Sequence, residues 1–168
     1  MVPERPPEFI REVRIVRTNL PHIEEPGATY HVTMCLDRPA NIQLAESPLA
    51  EMLTAAVRHY DDRKHHLFDY TIMPDHLHMI LKPMETPAGW YCLARLLYDL
   101  KQFTARRINA AMKREGHVWQ RESHDHIIRN REDYEEKANY IFCNPHTKGL
   151  VDDPADWPWW GRGSGVYL

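Results

Sequence analysis

Two apolar, β-branched and aromatic runs, residues 66–73 and 78–82, meet at Pro74-Asp75 in the middle of the chain. Proline cannot donate to a sheet ladder, so this pair reads as two strands joined by a tight bend or bulge. A strand-like run and a helical pattern flank it on each side. Upstream, Ala28–Leu36 (ATYHVTMCL) is a strand bounded by Pro26-Gly27 and Asp37-Arg38-Pro39. Ser47-Pro48 then opens a helix to about Asp61, with serine at the N-cap, proline at the first helical position and Leu49, Met52, Leu53, Ala56 and Val57 on one face. Downstream, Leu93, Leu96, Leu97, Leu100, Phe103, Ile108 and Met112 recur at helical spacing between Trp90 and about Lys113, and Gly116 stops the helix. Val118-Trp119 is a candidate short strand and Asp125–Arg129 a further one. Strand, helix, strand, strand, helix, strand is the split βαβ order of a ferredoxin-like α+β fold with an antiparallel sheet. Two helices cover one face, and the other is left for a substrate and a third helix. That helix runs from about Glu132 to Cys143, capped by Asn130 and ended by Pro145.

At 168 residues the chain holds one main domain, residues 27–168, preceded by a proline-bearing arm, residues 1–26, expected to be irregular apart from a short extended piece at Phe9–Val16. The tail, Gly149–Trp160, reads as loop, with Trp157, Trp159 and Trp160 closing over the core in preference to stacking bases. Cys35, Cys92 and Cys143 are odd in number and far apart, which fits free thiols and a cytoplasmic location. No apolar run is long enough to span a bilayer, so no membrane partner is expected. A net charge of −3 argues against a strongly basic nucleic-acid coat, although a local groove is compatible with it.

Within Asp75-His76-Leu77-His78, an extended backbone puts His76 and His78 on one face about 6–7 Å apart along the strand, with Leu77 turned into the core. A His-x-His pair is by itself most often only a polar face. Tyr140 and Asn144 share one face of the predicted third helix, and together the four side chains offer two imidazoles, an amide oxygen and a hydroxyl. Such a set suits Mg²⁺ or Mn²⁺ with open positions for phosphate oxygens, the phenol of Tyr140 attacking a phosphodiester. Tyr134 is a rival at the wrong helical phase, and Asn144 before Pro145 is also ordinary C-cap punctuation. Asp75 either holds one histidine or only makes the bend, and His126 is a weaker supporting candidate beside the plain reading of a structural histidine.

The blocks Gly27-Ala28-Thr29-Tyr30-His31-Val32-Thr33, Met73-Pro74-Asp75-His76-Leu77-His78, Trp119-Gln120, Asp125-His126-Ile127-Ile128-Arg129-Asn130, Tyr140-Ile141-Phe142-Cys143-Asn144-Pro145, Lys148-Gly149-Leu150-Val151 and Trp157-Pro158-Trp159 occur in this order. In them the chain resembles the HUH single-tyrosine transposases, and within these the REP-associated tyrosine transposases. The resemblance implies a ferredoxin-like sheet and metal-dependent nicking and joining of single-stranded DNA, often folded as a hairpin, through a 5′-phosphotyrosine. It places the metal-binding pair on His76 and His78, the polar helix ligand on Asn144 and the nucleophile on Tyr140. The segment after the first strand lacks the arginine-rich opening expected of such relatives. DNA contact is therefore expected to rest on Lys101, Arg106, Arg107, Lys113, Arg114 and Arg129. A monomer is favoured, with a homodimer as the alternative. Other readings are a non-catalytic protein that binds a DNA hairpin or structured RNA and, more weakly, a metal-dependent phosphodiesterase in which water attacks.

Overall fold

The register of the central strands follows from their alternation of apolar and polar residues, and it orients the whole sheet. The computed structural model describes residues 5–16, 22–37 and 41–167. Pro3 and Pro21 of the arm and Arg38-Pro39 after the first predicted strand lie outside the described residues. In chain order the elements are β1 (Phe9–Ile10), β2 (Arg14–Val16), β3 (His22–Glu24), β4 (Thr29–Cys35), α1 (Leu49–Arg58), β5 (His65–Ile72), β6 (His76–Pro83), β7 (Glu85–Thr86), β8 (Gly89–Tyr91), α2 (Leu93–Met112), β9 (His124–Ile128) and α3 (Arg131–Thr147). A 3-10 turn at Pro154–Asp156 and β10 (Trp160–Arg162) follow.

Strands pair in the order β10-β5-β6-β4-β9, every neighbour antiparallel. The predicted ferredoxin-like α+β sheet is therefore present, with one strand added at its edge. Tyr30, Val32 and Met34 of β4 and Leu77, Met79 and Leu81 of β6 face α1 and α2 and form the main core with Leu49, Leu53, Leu93, Leu97 and Ile108. The intervening residues face α3, where Phe68, Ile80, Ile128 and Ile141 make a smaller apolar cluster. In β5 the register shifts between Leu67 and Tyr70, which lets both contact the main core.

Several local expectations need correction. Pro48, not Ser47, occupies the cap position of α1 and makes no side-chain cap, while the Ser47 hydroxyl donates to Glu51 at 2.6 Å. The helix also ends at Arg58, before Asp61. Trp90 belongs to β8, and α2 is closed by Lys113 in a left-handed conformation with φ of 51°, ahead of Gly116. Val118-Trp119 forms no strand; Trp119 makes a single bridge to Leu36. Pro145 lies inside α3 and does not end it. In the last turn a proline forfeits one backbone bond, and the helix closes instead at Gly149, whose φ of +69° suits a glycine stop. The tail is not all loop, because β10 pairs with β5 at Trp160, Gly161 and Arg162.

The arm is also more ordered than its prolines suggest: β1 pairs with β8, and β2 with β3. Cys92, at the N-cap of α2, provides no side-chain cap. Glu24 of the arm supplies it from a distance, accepting the Ala94 N–H at 2.6 Å while pairing with Arg14 at 2.6 Å, and only 2 % of it is exposed. A carboxylate there satisfies an orphan donor and complements the helix dipole. Glu24→Ala strands Arg14 and the first turn of α2, and the expected loss is about 3 kcal/mol, read as a lower urea midpoint at unchanged slope. A loss below about 1 kcal/mol would show that the arm does not brace α2.

Candidate functional site on the α3 face

β6 delivers His76 and His78 to the α3 face because Leu77 and Met79 are held in the main core. Their Nε2 atoms stand 3.0 Å apart. On the far side of His76, Asp75 accepts from Nδ1 at 2.6 Å, so the bend residue does hold a histidine. His78 is 3 % exposed, and burial, followed by the charges of His76 and His31, pushes its pKa down to about 2. The His78 ring therefore meets the requirement that an imidazole ligand be neutral.

α3 brings Asn144 and Tyr140 over this pair. Asn130 caps the helix, its side chain accepting the Asp133 N–H at 2.9 Å, as its sequence position suggests. Farther along, Asn144 is 3 % exposed, with Nδ2 3.5 Å from His78 Nε2 and a buried Oδ1 that has no hydrogen-bond partner. Since α3 continues to Thr147, Asn144 is an interior helix residue and not a C-cap. The ring of Tyr140 makes edge contacts with His78 and His31 at centroid distances of 5.4 and 6.0 Å. It is 49 % exposed, and its hydroxyl has no hydrogen-bond partner among the described residues.

Tyr134 has a different fate. Its hydroxyl donates at 2.8 Å to Asp69, which is 1 % exposed and also accepts from Arg162 Nε at 3.2 Å. Burial and the Asp69 carboxylate push the Tyr134 pKa up. Its ring stacks on Tyr167 at 4.5 Å. Tyr134 thus fastens α3 to the sheet and the chain's end, leaving Tyr140 as the helix tyrosine with a free hydroxyl beside the histidines.

Among the described residues no three His, Cys, Asp or Glu side chains form a metal cluster. The donor set that fits a cation is two imidazoles and a carboxamide. Two ligands about 2.1 Å from one ion at a right angle are about 3 Å apart, which is the His76–His78 separation. The amide ends of Asn144 exchange by a half-turn, so the unpartnered oxygen is available to the same point. An oxygen donor with two imidazoles and open positions matches a hard divalent ion better than a closed thiolate site.

The predicted DNA contacts mostly lie elsewhere. Lys101, Arg106, Arg107, Lys113 and Arg114 belong to or follow α2, which packs against the opposite face of the sheet from His76 and His78. Lys101 is committed to the carbonyls of Gln120 and Arg121 at 2.9 and 3.1 Å, and burial pushes its pKa down to about 8. Arg114 donates to Asn109 and His117, Arg107 lies over Phe103, and Arg106 bonds the Gln102 carbonyl. Arg129 sits between β9 and α3, exposed and paired with Glu25 at 3.1 Å. His126 reaches from β9 to Asp133 on α3 at 2.9 Å, a strand-to-helix tie.

Sequence reasoning missed His31 and Thr33, which lie on β4 beside His78 with their side chains 3.3 and 2.9 Å from its Nδ1. Their alternation with Tyr30, Val32 and Met34 was the available signal, but which histidine they face depends on register. Lys137 was missed as well: it lies one turn before Tyr140, and burial, followed by the charges of Lys137 and His126, pushes the His31 pKa down to about 4.

The site is thus a histidine pair on the central strand of a ferredoxin-like sheet, beneath a covering helix that carries a tyrosine and an asparagine. The chain belongs to the family described as Transposase IS200 like, whose model matches residues 26–141, a span that includes His76, His78 and Tyr140. It is 32 % identical over 96 residues to a putative REP-associated tyrosine transposase of Haemophilus influenzae, covering 52 % of this chain and 53 % of that protein. It is 29 % identical over 132 residues to a REP-associated tyrosine transposase of Escherichia coli, covering 79 % of this chain and 74 % of that one. The chain thus matches about half the length of the first relative and about three quarters of the second. A solved structure of a REP-associated tyrosine transposase bound to a REP hairpin aligns with a TM-score of 0.64 at 26 % identity, over 80 % of this chain and 76 % of that one.

The two helix tyrosines differ in a measurable way. Tyr134→Phe leaves the buried Asp69 carboxylate short of a donor and is expected to cost about 1–3 kcal/mol, whereas Tyr140→Phe is expected to change stability by less than about 0.5 kcal/mol. Paired urea titrations decide this, and equal losses would contradict the assignment of the free hydroxyl to Tyr140.

Proposed function

We propose that this chain nicks and rejoins single-stranded, hairpin-containing DNA by transesterification through Tyr140, as a transposase-type endonuclease and strand transferase. The observation that carries the reading is the convergence of the unpartnered Tyr140 hydroxyl, the His76–His78 pair and the buried, unpartnered Asn144 oxygen on one face. Family membership and the hairpin-bound relative support it.

His76, His78 and Asn144 would hold Mg²⁺ or Mn²⁺, which when bound supplies charge stabilisation at a phosphoryl oxygen. Asp75 fixes His76 with its Nδ1 protonated, so the Nε2 lone pair faces the site. α3 holds the phenol of Tyr140 at the edge of His78 and His31. The Tyr140 oxygen attacks phosphorus and the bond to the 3′ oxygen breaks, giving a 5′-phosphotyrosine and a 3′-hydroxyl. The phenolic proton lost is balanced by the proton gained at the 3′ oxygen. Because one ester replaces another, rejoining needs no nucleotide hydrolysis. Action by one chain in cis accords with α3 docking on its own sheet through Tyr134 and Asp69.

The test uses labelled hairpin DNA from the sequence flanking the gene, with Mg²⁺, Mn²⁺ or chelator, resolved on denaturing gels. Wild type should form a metal-dependent covalent adduct, Tyr140→Phe should form none, and His76→Ala or His78→Ala should lose at least about 100-fold in rate. A second reading, a non-catalytic binder of DNA hairpins or structured RNA, rests on the hairpin-bound relative, which supports binding without a chemical step. Tight hairpin binding with no adduct or nick under any metal would select it.

A further inference from the structure

The two ring nitrogens of His78 meet different surroundings. Nε2 faces His76 Nε2 at 3.0 Å and Asn144 Nδ2 at 3.5 Å. Nδ1 points toward β4, with Thr33 Oγ1 at 2.9 Å and His31 Nε2 at 3.3 Å. Thr33 stands directly opposite His78 in the β4–β6 ladder. The register that puts His78 on the α3 face therefore also delivers a hydroxyl to the back of its ring.

A neutral imidazole carries one proton, and the partner at one nitrogen decides where it resides. Asp75 answers this for His76, because a carboxylate only accepts and so keeps the proton on Nδ1. A threonine hydroxyl both donates and accepts. When Thr33 donates to Nδ1, the His78 proton lies on Nε2 and can be shared with His76. When Thr33 accepts from Nδ1–H, two lone pairs face each other across 3.0 Å, an arrangement that a cation stabilises. His31 Nε2 is farther from Nδ1 than the Thr33 hydroxyl, 3.3 against 2.9 Å.

We infer that Thr33 is a positioning residue that switches His78 between these tautomers, accepting Nδ1–H when Nε2 is committed to a divalent cation. The inference rests on the proposed role of His76 and His78 as the metal-binding pair. It gives the two histidines unequal parts. His76 is locked in one tautomer by a carboxylate, and His78 is adjustable through a hydroxyl.

Thr33→Val keeps the β-branched shape of a strand residue and removes the hydroxyl, while Thr33→Ser restores it. Two readouts are taken on the full chain: Mn²⁺ affinity by calorimetry, and the His78 tautomer by NMR of the histidine ring nitrogens, metal-free and with Mg²⁺. The expected result is that wild type and Thr33→Ser carry the His78 proton on Nε2 without metal and on Nδ1 with Mg²⁺. Thr33→Val should show a mixed tautomer without metal and a loss of about 10- to 100-fold in Mn²⁺ affinity. An unchanged tautomer in Thr33→Val, with Mn²⁺ affinity within about twofold of wild type, would overturn the inference. If wild type bound no Mn²⁺, the metal reading would fail by itself, and the metal-free tautomers of wild type and Thr33→Val would decide the role of Thr33 alone.

Discussion

The pairing of β4 with β6 is the constraint on which the rest of this molecule depends. Along β6, Leu77, Met79 and Leu81 enter the main core while His76 and His78 emerge beneath α3. Opposite them, β4 alternates Tyr30, Val32 and Met34 with His31 and Thr33. A slip of one residue would carry histidines into the core and leucine out under the helix, so burial of the apolar set selects the register that assembles the polar one. Core packing and site geometry are thereby one decision, made in the two central strands.

The second element of the site, α3, is fixed by contacts outside the site. Asn130 caps its start, Tyr134 ties it to buried Asp69, and Ile141 packs with Phe68, Ile80 and Ile128. The chain's end reinforces this: Tyr167 stacks on Tyr134, and Trp160 packs against Phe142 at 4.9 Å. Rigid anchoring on either side leaves Tyr140 half-exposed with its hydroxyl free. A group held in place but not engaged is the arrangement a nucleophile requires, since positioning lowers the barrier without the ground-state cost of breaking an existing bond.

Much of this was legible in the sequence because it depends on local rules. The bend at Pro74-Asp75, the period-2 display of His76 and His78, the i,i+4 relation of Tyr140 and Asn144 and the Asn130 cap each follow from a few neighbouring residues. What was not legible depends on tertiary placement. Thr33 and His31 meet His78 only through inter-strand register, and Glu24 caps α2 from a distant strand of the arm. Pro145 reads as a terminator locally, yet helix packing carries the backbone through it. The basic side of α2 reads as a nucleic-acid surface, but the fold turns it away from the site and ties Lys101 to the carbonyls of Gln120 and Arg121. Trp160 continues the sheet as an edge strand, a pairing that no local pattern around it announces.

The role proposed for Tyr140 depends most directly on the identity of the atom that becomes joined to DNA. Trapping the covalent complex with a hairpin substrate, digesting both partners and sequencing the cross-linked peptide by tandem mass spectrometry would locate that bond. The expected result is a nucleotide 5′-phosphate on Tyr140 within Lys137–Lys148. A nucleotide attached to Tyr134 or to any other side chain, or complete cleavage of the DNA with no peptide adduct, would contradict it.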